Sequence, residues 1–116
     1  MKIVTQTDTC QLTGSTGDVR LAVSFGDGQT GTTMIIRKGV VLAAGAELSN
    51  VLVGTAADLA GDAIVVRSVV SQTNKNTDHL SAVHGVTGSQ IHEMFIAADL
   101  FDQGTSALVV ETITFA

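Results

Sequence analysis

Hydrophobic and polar residues alternate along much of this chain, and a period of two is typical of β-strands with one buried face. The clearest alternation spans residues 19–25, where Val, Leu, Val and Phe are separated by Arg, Ala and Ser. The dipeptide Asp27-Gly28 follows, and it predicts a tight hairpin turn because both residues tolerate positive φ. The returning strand is predicted over residues 30–37.

Further strands are predicted where short apolar, β-branched runs are bounded by glycine-containing bends or polar segments. They cover residues 40–44, 48–53, 63–70, 79–86 and 107–115. Residues 63–70 are apolar on nearly both faces, which predicts a central strand buried on two sides. In the segment 55–61, Thr55 is followed three positions later by Asp58, and this spacing predicts one helical turn or a compact loop.

Residues 89–102 allow two interpretations, a capped helix or a strand over residues 92–97 with a turn at 99–104. We favour the strand because the neighbouring segments are strand-like. The polar residues 71–78 are predicted to form an exposed loop. About seven to nine short strands at this spacing predict a mainly β fold, an antiparallel β-sandwich or barrel that forms a single domain over residues 1–116.

The composition changes this picture at the surface. Only 15% of the residues are charged, against about 25% in an ordinary soluble domain, so Thr, Ser, Gly, Gln and Ala must cover much of the protein. Weakly charged surface on a small domain is often surface that meets another protein. We therefore predict a non-catalytic structural or interaction module that acts as a homo-oligomer or as a component of a larger assembly. Unpaired strand edges in the segments 40–53 and 107–115 are the predicted association sites.

The charge balance argues against two classes of partner. The chain is acidic, with a formal net charge of −5, six Lys and Arg residues and no Trp or Tyr. It therefore lacks a basic stripe for phosphates and stacking platforms for bases, and we expect neither nucleic-acid nor membrane binding. No cleavable signal peptide is evident, which favours a cytoplasmic or intracellularly assembled protein, with export by another route left open. The one cysteine, Cys10, is expected to be a small buried hydrophobic residue.

An alternative hypothesis is a ligand-binding sandwich for carbohydrate or peptide. Loops gather at the two ends of a sandwich, where carboxylate and amide oxygens can converge on calcium, the one candidate cofactor. The local carboxylate pairs of this kind are Asp58 with Asp62 and Asp99 with Asp102. The candidate site residues are Asp58, Asp62, Asn74, Asn76 and Asp78.

A third hypothesis is a small hydrolase-like enzyme in which His84, His92 and Glu93 meet across neighbouring strands as an acid–base or metal cluster. No nucleophile motif accompanies these residues, and the glycine-rich turn at Asp27-Gly28 lacks the Gly-Lys-Ser/Thr of a phosphate loop. The sequence therefore favours a protein that is not an enzyme.

Overall fold

The computed structural model describes residues 1–14, 17–88, 93–99 and 106–116, and they form two facing sheets with one short helix. The elements in chain order are β1 (Lys2–Cys10), β2 (Asp18–Phe25), β3 (Thr30–Arg37), β4 (Val40–Gly45), β5 (Leu48–Thr55), α1 (Ala56–Leu59), β6 (Ala63–Ser71), β7 (His79–Thr87), β8 (Glu93–Asp99) and β9 (Ser106–Phe115). Sheet A has the strand order β1-β9-β6-β3-β4, and sheet B has the order β5-β2-β7-β8. The predicted mainly β sandwich is confirmed.

Local sequence signals account for the hairpin and the helical turn. Asp27 and Gly28 both have positive φ, 59° and 73°, and they reverse the chain between β2 and β3 as predicted. Thr55 is the N-cap of α1, where its hydroxyl accepts a hydrogen bond from the Asp58 N–H at 3.2 Å. The strand predicted within 89–102 is present as β8, while residues 89–92 and 100–105 lie outside the described residues.

The prediction that residues 63–70 are buried on both sides is wrong. The strand β6 is central, with two strands on either side in sheet A, but its side chains are alternately buried and open. Ile64 and Val66 face sheet B, whereas Val65 and Val69 lie on the opposite face of sheet A. Apolar residues on both faces here mark a strand whose outer face is hydrophobic and uncovered.

One strand pairing is parallel. The strand β1 runs parallel to β9 without interruption, from Lys2 opposite Ala107 to Cys10 opposite Phe115. The strand β9 also pairs with β6, so it lies inside sheet A and has no open edge for joining another sheet. The sheet edges are instead β1 and β4 in sheet A, and β5 and β8 in sheet B.

The inward-facing side chains form two separate hydrophobic clusters. The larger lies toward the α1 end of the sandwich and contains Leu21, Leu59, Ile64, Met94 and Phe115, among others. The smaller lies toward the opposite end and contains Val70, Leu80, Ala82, Ile96, Ala107 and Val109. Cys10 belongs to the larger cluster, where its Sγ lies 4.0 Å from the Met94 Sδ, so the prediction of a buried cysteine is confirmed.

Candidate functional site

A layer of polar side chains separates the two hydrophobic clusters. Along β7 and β9 the buried residues change from one cluster to the other at His84 and Glu111. The strands β6 and β3 contribute Ser68 and Thr33, whose hydroxyls lie 2.7 Å apart and are fully buried. We call His84, Glu111, Ser68 and Thr33, together with Gln6 and Asp8 of β1, the polar layer.

A hydrogen bond across the core links the two sheets within this layer. The Nδ1 of His84, on sheet B, lies 2.7 Å from the Oε1 of Glu111, on sheet A, and both side chains are fully buried. The Oε2 of Glu111 accepts a hydrogen bond from the Gln6 Nε2 at 3.1 Å. The Nε2 of His84 is also buried and has no hydrogen-bond partner among the described residues. Buried polar atoms must be hydrogen-bonded to avoid a desolvation cost, so the His84–Glu111 contact fixes how the sheets face each other.

A second carboxylate, Asp8 on the edge strand β1, affects the pKa of Glu111. Burial raises the pKa of Glu111, the hydrogen bond to His84 opposes that shift, and the hydrogen bond to Asp8 adds to it. The hydrogen bond from Glu111 lowers the pKa of Asp8. Glu111 therefore holds a shared proton more tightly than Asp8, and negative charge is favoured on Asp8, which is only partly buried.

His84 and Glu111 form a carboxylate–imidazole pair, but a substrate could not reach it because both side chains are fully buried. In hydrolases, the carboxylate holds Nδ1 and leaves Nε2 to act on a substrate. Here the His84 side chain is fully buried, so its role in this structure is to hold the two sheets together.

The partner of His84 in the structure differs from the one predicted from the sequence. Glu93 is exposed on the outer face of sheet B, whereas His84 points into the core, so the structure does not bring them together. His92 lies outside the described residues. Glu111 lies within the predicted strand of residues 107–115 but was not among the predicted site residues. Its position, two residues from each of the buried Val109 and Ile113, was the available signal.

The predicted ligand residues Asp58 and Asp62 lie together at the α1 end of the sandwich. The Arg37 Nε donates to the Asp62 Oδ2 at 2.9 Å, and the Arg37 Nη2 donates to the Asp58 carbonyl at 3.0 Å. The Ala63 N–H also donates to the Asp62 Oδ1, and this bond, followed by the bond from Arg37, lowers the pKa of Asp62. Both carboxylate oxygens of Asp62 are therefore already used in fixing the entrance to β6.

The other three predicted ligand residues lie in the loop of residues 72–78, at the opposite end of β6. The Asn74 Oδ1 accepts from the Asn76 N–H, and the Asp78 Oδ1 accepts from the Gln72 Nε2. The nine residues of β6 place this loop about 30 Å from Asp62 at roughly 3.3 Å per residue. The five residues therefore form two separate groups rather than one site.

A buried glutamine that was not among the predicted site residues organises that loop. The Gln29 Nε2 donates to the carbonyls of Asn74, Thr77 and His79, and its Oε1 accepts from the Asn74 N–H. No local pattern distinguishes Gln29 from an exposed turn residue. In the described part of the chain, no group of three or more His, Cys, Asp or Glu side chains could hold a metal ion. Calcium binding stays a prediction.

A solvent-accessible histidine lies near the same end of sheet B. The His79 Nδ1 lies 2.9 Å from the Asp99 Oδ1, and this hydrogen bond raises the pKa of His79. Asp27 lies on its other side, 3.9 Å from the His79 Nε2, and accepts a hydrogen bond from the Ser81 hydroxyl. The predicted pairing of Asp99 with Asp102 cannot be placed, because Asp102 lies outside the described residues.

The outer face of sheet A is almost free of charge. The strand registers and burial patterns place twenty side chains of the five strands on this face. They are Ile3, Thr5, Thr7 and Thr9 of β1, Ser106, Leu108, Val110, Thr112 and Thr114 of β9, Ala63, Val65, Arg67, Val69 and Ser71 of β6, Thr30, Thr32, Met34 and Ile36 of β3, and Val41 and Ala44 of β4. Arg67 is the one charged member, and we call this surface the A face.

The outer face of sheet B has a different character. It carries the charged side chains of Arg20, Glu93 and Asp99, together with Phe95, which is 65% exposed. A groove of about 280 Å³ crosses β2, β7 and β8 on this side, and its lining includes Arg20, Asn50, Gly85, Thr87 and Glu93. We call it the B groove.

The four strand edges carry features that discourage pairing with another chain. The edge strand β1 directs Lys2 and Asp8 inward, and bulges interrupt the pairing of β4 with β3 and of β5 with β2. The Phe95 carbonyl of β8 accepts a hydrogen bond from the Gln6 side chain at 3.2 Å. Strand addition is therefore less favoured than contact through a sheet face.

Comparisons with known proteins add no relative from which a role could be transferred. No family model, curated protein or solved structure matches this chain. Among the described residues, no helix has the length and apolar character needed to span a bilayer. The function must therefore be argued from the surfaces and clusters above.

Proposed function

We propose that this chain is a non-catalytic interaction module that works as a homo-oligomer or as one component of a larger protein assembly. The observation that carries the proposal is the A face, where a single charge lies among apolar Val, Ile, Leu, Met and Ala side chains and uncharged Thr and Ser side chains. Charged residues are depleted at the centres of protein–protein interfaces, and exposed apolar side chains grouped on one surface mark interaction sites.

The area of the A face also supports a role as a protein–protein interface. Five strands at about 4.8 Å spacing, each contributing about eight residues at roughly 3.3 Å, give a surface of about 600 Å² in projection. A stable interface typically buries about 800 Å² of accessible surface on each partner. Because side-chain relief adds accessible area beyond the projection, this face alone approaches that amount.

Exposed apolar side chains lie at the centre of the A face and at both of its edges. Val69 is 41% exposed on the central strand, Val41 is 50% exposed on β4, and Ile3 is 62% exposed on β1. The helix α1 packs against β5 of sheet B, so it does not cover these residues. The A face is the side of sheet A that points away from sheet B, and none of the described elements packs on it.

The molar mass in solution tests the proposal. Size-exclusion chromatography with light scattering should give a mass above the 11.9 kDa of one chain. Concentration must be read by refractive index, because the chain has no Trp or Tyr. Val69→Lys, on the A face, should reduce the mass, whereas Val40→Lys, on the bulged β4 edge, should not.

Two results would count against the proposal. A wild-type chain that stays monomeric at several hundred micromolar would remove the homo-oligomer. An oligomer lost with Val40→Lys and kept with Val69→Lys would move the contact from the A face to the strand edge.

A further inference from the structure

The A face carries one feature that an apolar contact does not explain. Arg67 lies on the central strand of sheet A, where its cross-strand neighbours are Val110 and Met34. Its side chain is exposed and makes no ion pair with any described residue. Covering this cation with apolar surface would leave a desolvated charge, so a partner that docks here must supply an acceptor, most effectively a carboxylate.

The B groove offers such an acceptor on the opposite side of the same chain. Glu93 is exposed at its wall, and it has no ion-pair partner within the described residues. The other charge in the groove, Arg20, is already engaged: its Nη2 lies 3.5 Å from Asp18, and its Nη1 donates to the Asn50 carbonyl. Glu93 is therefore the group in the groove that is open to a new cation.

The dimensions of the B groove fit a side chain better than a small-molecule ligand. Its volume is about 280 Å³, just below the roughly 300–1,000 Å³ of typical ligand pockets. Gly85 lies directly opposite Glu93 across the strand pair and contributes no side chain, which leaves the space beside the carboxylate open. Phe95, two residues along β8, adds exposed apolar surface for contact with the A face.

We propose that copies of this chain associate head to tail, with Arg67 on the A face of one copy inserted into the B groove beside Glu93 of the next. This inference rests on the proposed function, because it names the contact through which the module self-associates. Each copy then offers one Arg67 and one Glu93, so the contact repeats.

The position of Arg67 argues against the symmetric alternative. A two-fold axis through the centre of the A face would bring two Arg67 side chains together, and the A face has no carboxylate to separate them. A heterologous contact avoids this repulsion. Such contacts produce a ring when the rotation between copies closes, and an open filament when it does not.

Charge exchange tests the contact directly. Arg67→Glu and Glu93→Lys should each lower the weight-average mass, with the apparent dissociation constant raised at least about thirtyfold. The double variant Arg67→Glu/Glu93→Lys should regain the wild-type mass, because each copy again offers opposite charges. An equimolar mixture of the two single variants should also regain it, by alternating along the assembly.

Matched controls carry the same charge changes at other exposed positions. Lys75→Glu, in the loop of residues 72–78, and Glu47→Lys, between β4 and β5, should both keep the wild-type mass. Far-ultraviolet circular dichroism of all variants establishes that the fold is retained. If a single variant does not fold, the regain in the double variant still decides the matter.

The outcomes separate this contact from the broader proposal. An oligomeric wild type that is unaffected by Glu93→Lys, or a double variant that fails to reassemble, would overturn the head-to-tail contact and leave the interaction module standing. A heterodimer of wild type with Arg67→Glu/Glu93→Lys would show the symmetric contact instead, because head-to-tail contacts between these two chains would oppose like charges. A wild type that remains at 11.9 kDa would overturn the homo-oligomer and this contact with it.

Discussion

The His84–Glu111 contact makes the sharpest stability prediction. Glu111→Leu leaves the buried Nδ1 of His84 without its acceptor, next to an Nε2 that already has no partner among the described residues. His84→Leu leaves the Glu111 Oε1 buried without its donor. The double variant His84→Leu/Glu111→Leu removes both polar groups and puts apolar side chains of similar size between two hydrophobic clusters.

The structure sets the expected magnitudes. A buried group left without its hydrogen-bond partner costs about 1–3 kcal/mol, and more when that group is charged. Both side chains are fully buried, so each single variant should lose about 2–4 kcal/mol of unfolding free energy. The double variant should lie within about 1 kcal/mol of wild type or above it, because replacing both partners removes the unsatisfied groups together.

Urea unfolding followed by far-ultraviolet circular dichroism measures these values, since the chain has no Trp or Tyr to report by fluorescence. A loss of about 3 kcal/mol should lower the urea midpoint by roughly 1–2 M. The double variant His79→Leu/Glu111→Leu is the matched control, because His79 lies on β7 like His84 but points away from the core. Additive losses in His84→Leu/Glu111→Leu, with a coupling energy under about 0.5 kcal/mol, would refute a mutually dependent pair.

The remaining predictions concern pH and backbone space. Burial raises the pKa of Glu111, so the folded state holds the proton of this carboxyl more tightly than the unfolded state does. The unfolding free energy of wild type should therefore fall relative to that of Glu111→Gln as the pH rises from 4 to 7, which urea unfolding measures. The hydrogen bond to Asp99 raises the pKa of His79, so Asp99→Asn should lower the His79 pKa in an NMR titration. Gly31→Ala should lower the unfolding free energy by about 1–3 kcal/mol, because the added Cβ would lie 2.9 Å from the Val69 carbonyl oxygen. Gly14→Ala is the control and should be close to neutral in the same assay, because no atom lies within 4 Å of its added Cβ.

The parts of this fold that could be predicted from sequence are those set by neighbouring residues. The turn at Asp27-Gly28 and the cap at Thr55 depend on the conformational preferences of a few adjacent positions. In the predicted strand of residues 79–86, every second side chain is buried, and His84 is one of them. Period-two alternation works here because burial of one sheet face imposes it directly.

The partners of these residues could not be predicted, because they are distant in sequence. Gln6 donates to Glu111 across 105 residues, and β1 lies beside β9 although the two are at opposite ends of the chain. Gln29 donates to the carbonyls of Asn74, Thr77 and His79, which lie more than forty residues later in the chain. Such contacts depend on strand order, which alternation along one strand does not encode.

The uncharged surface of this protein is concentrated on one face of the fold, and this distribution supports an interaction role. If uncharged surface were spread evenly, it would indicate only weak solvation. Instead the outer face of sheet B carries Arg20, Glu93 and Asp99, while the A face carries Arg67 alone. A charge deficit concentrated on one outer face, on which no described element packs, is the pattern expected when another protein covers that face. The single cation at its centre determines which partner surface can do so.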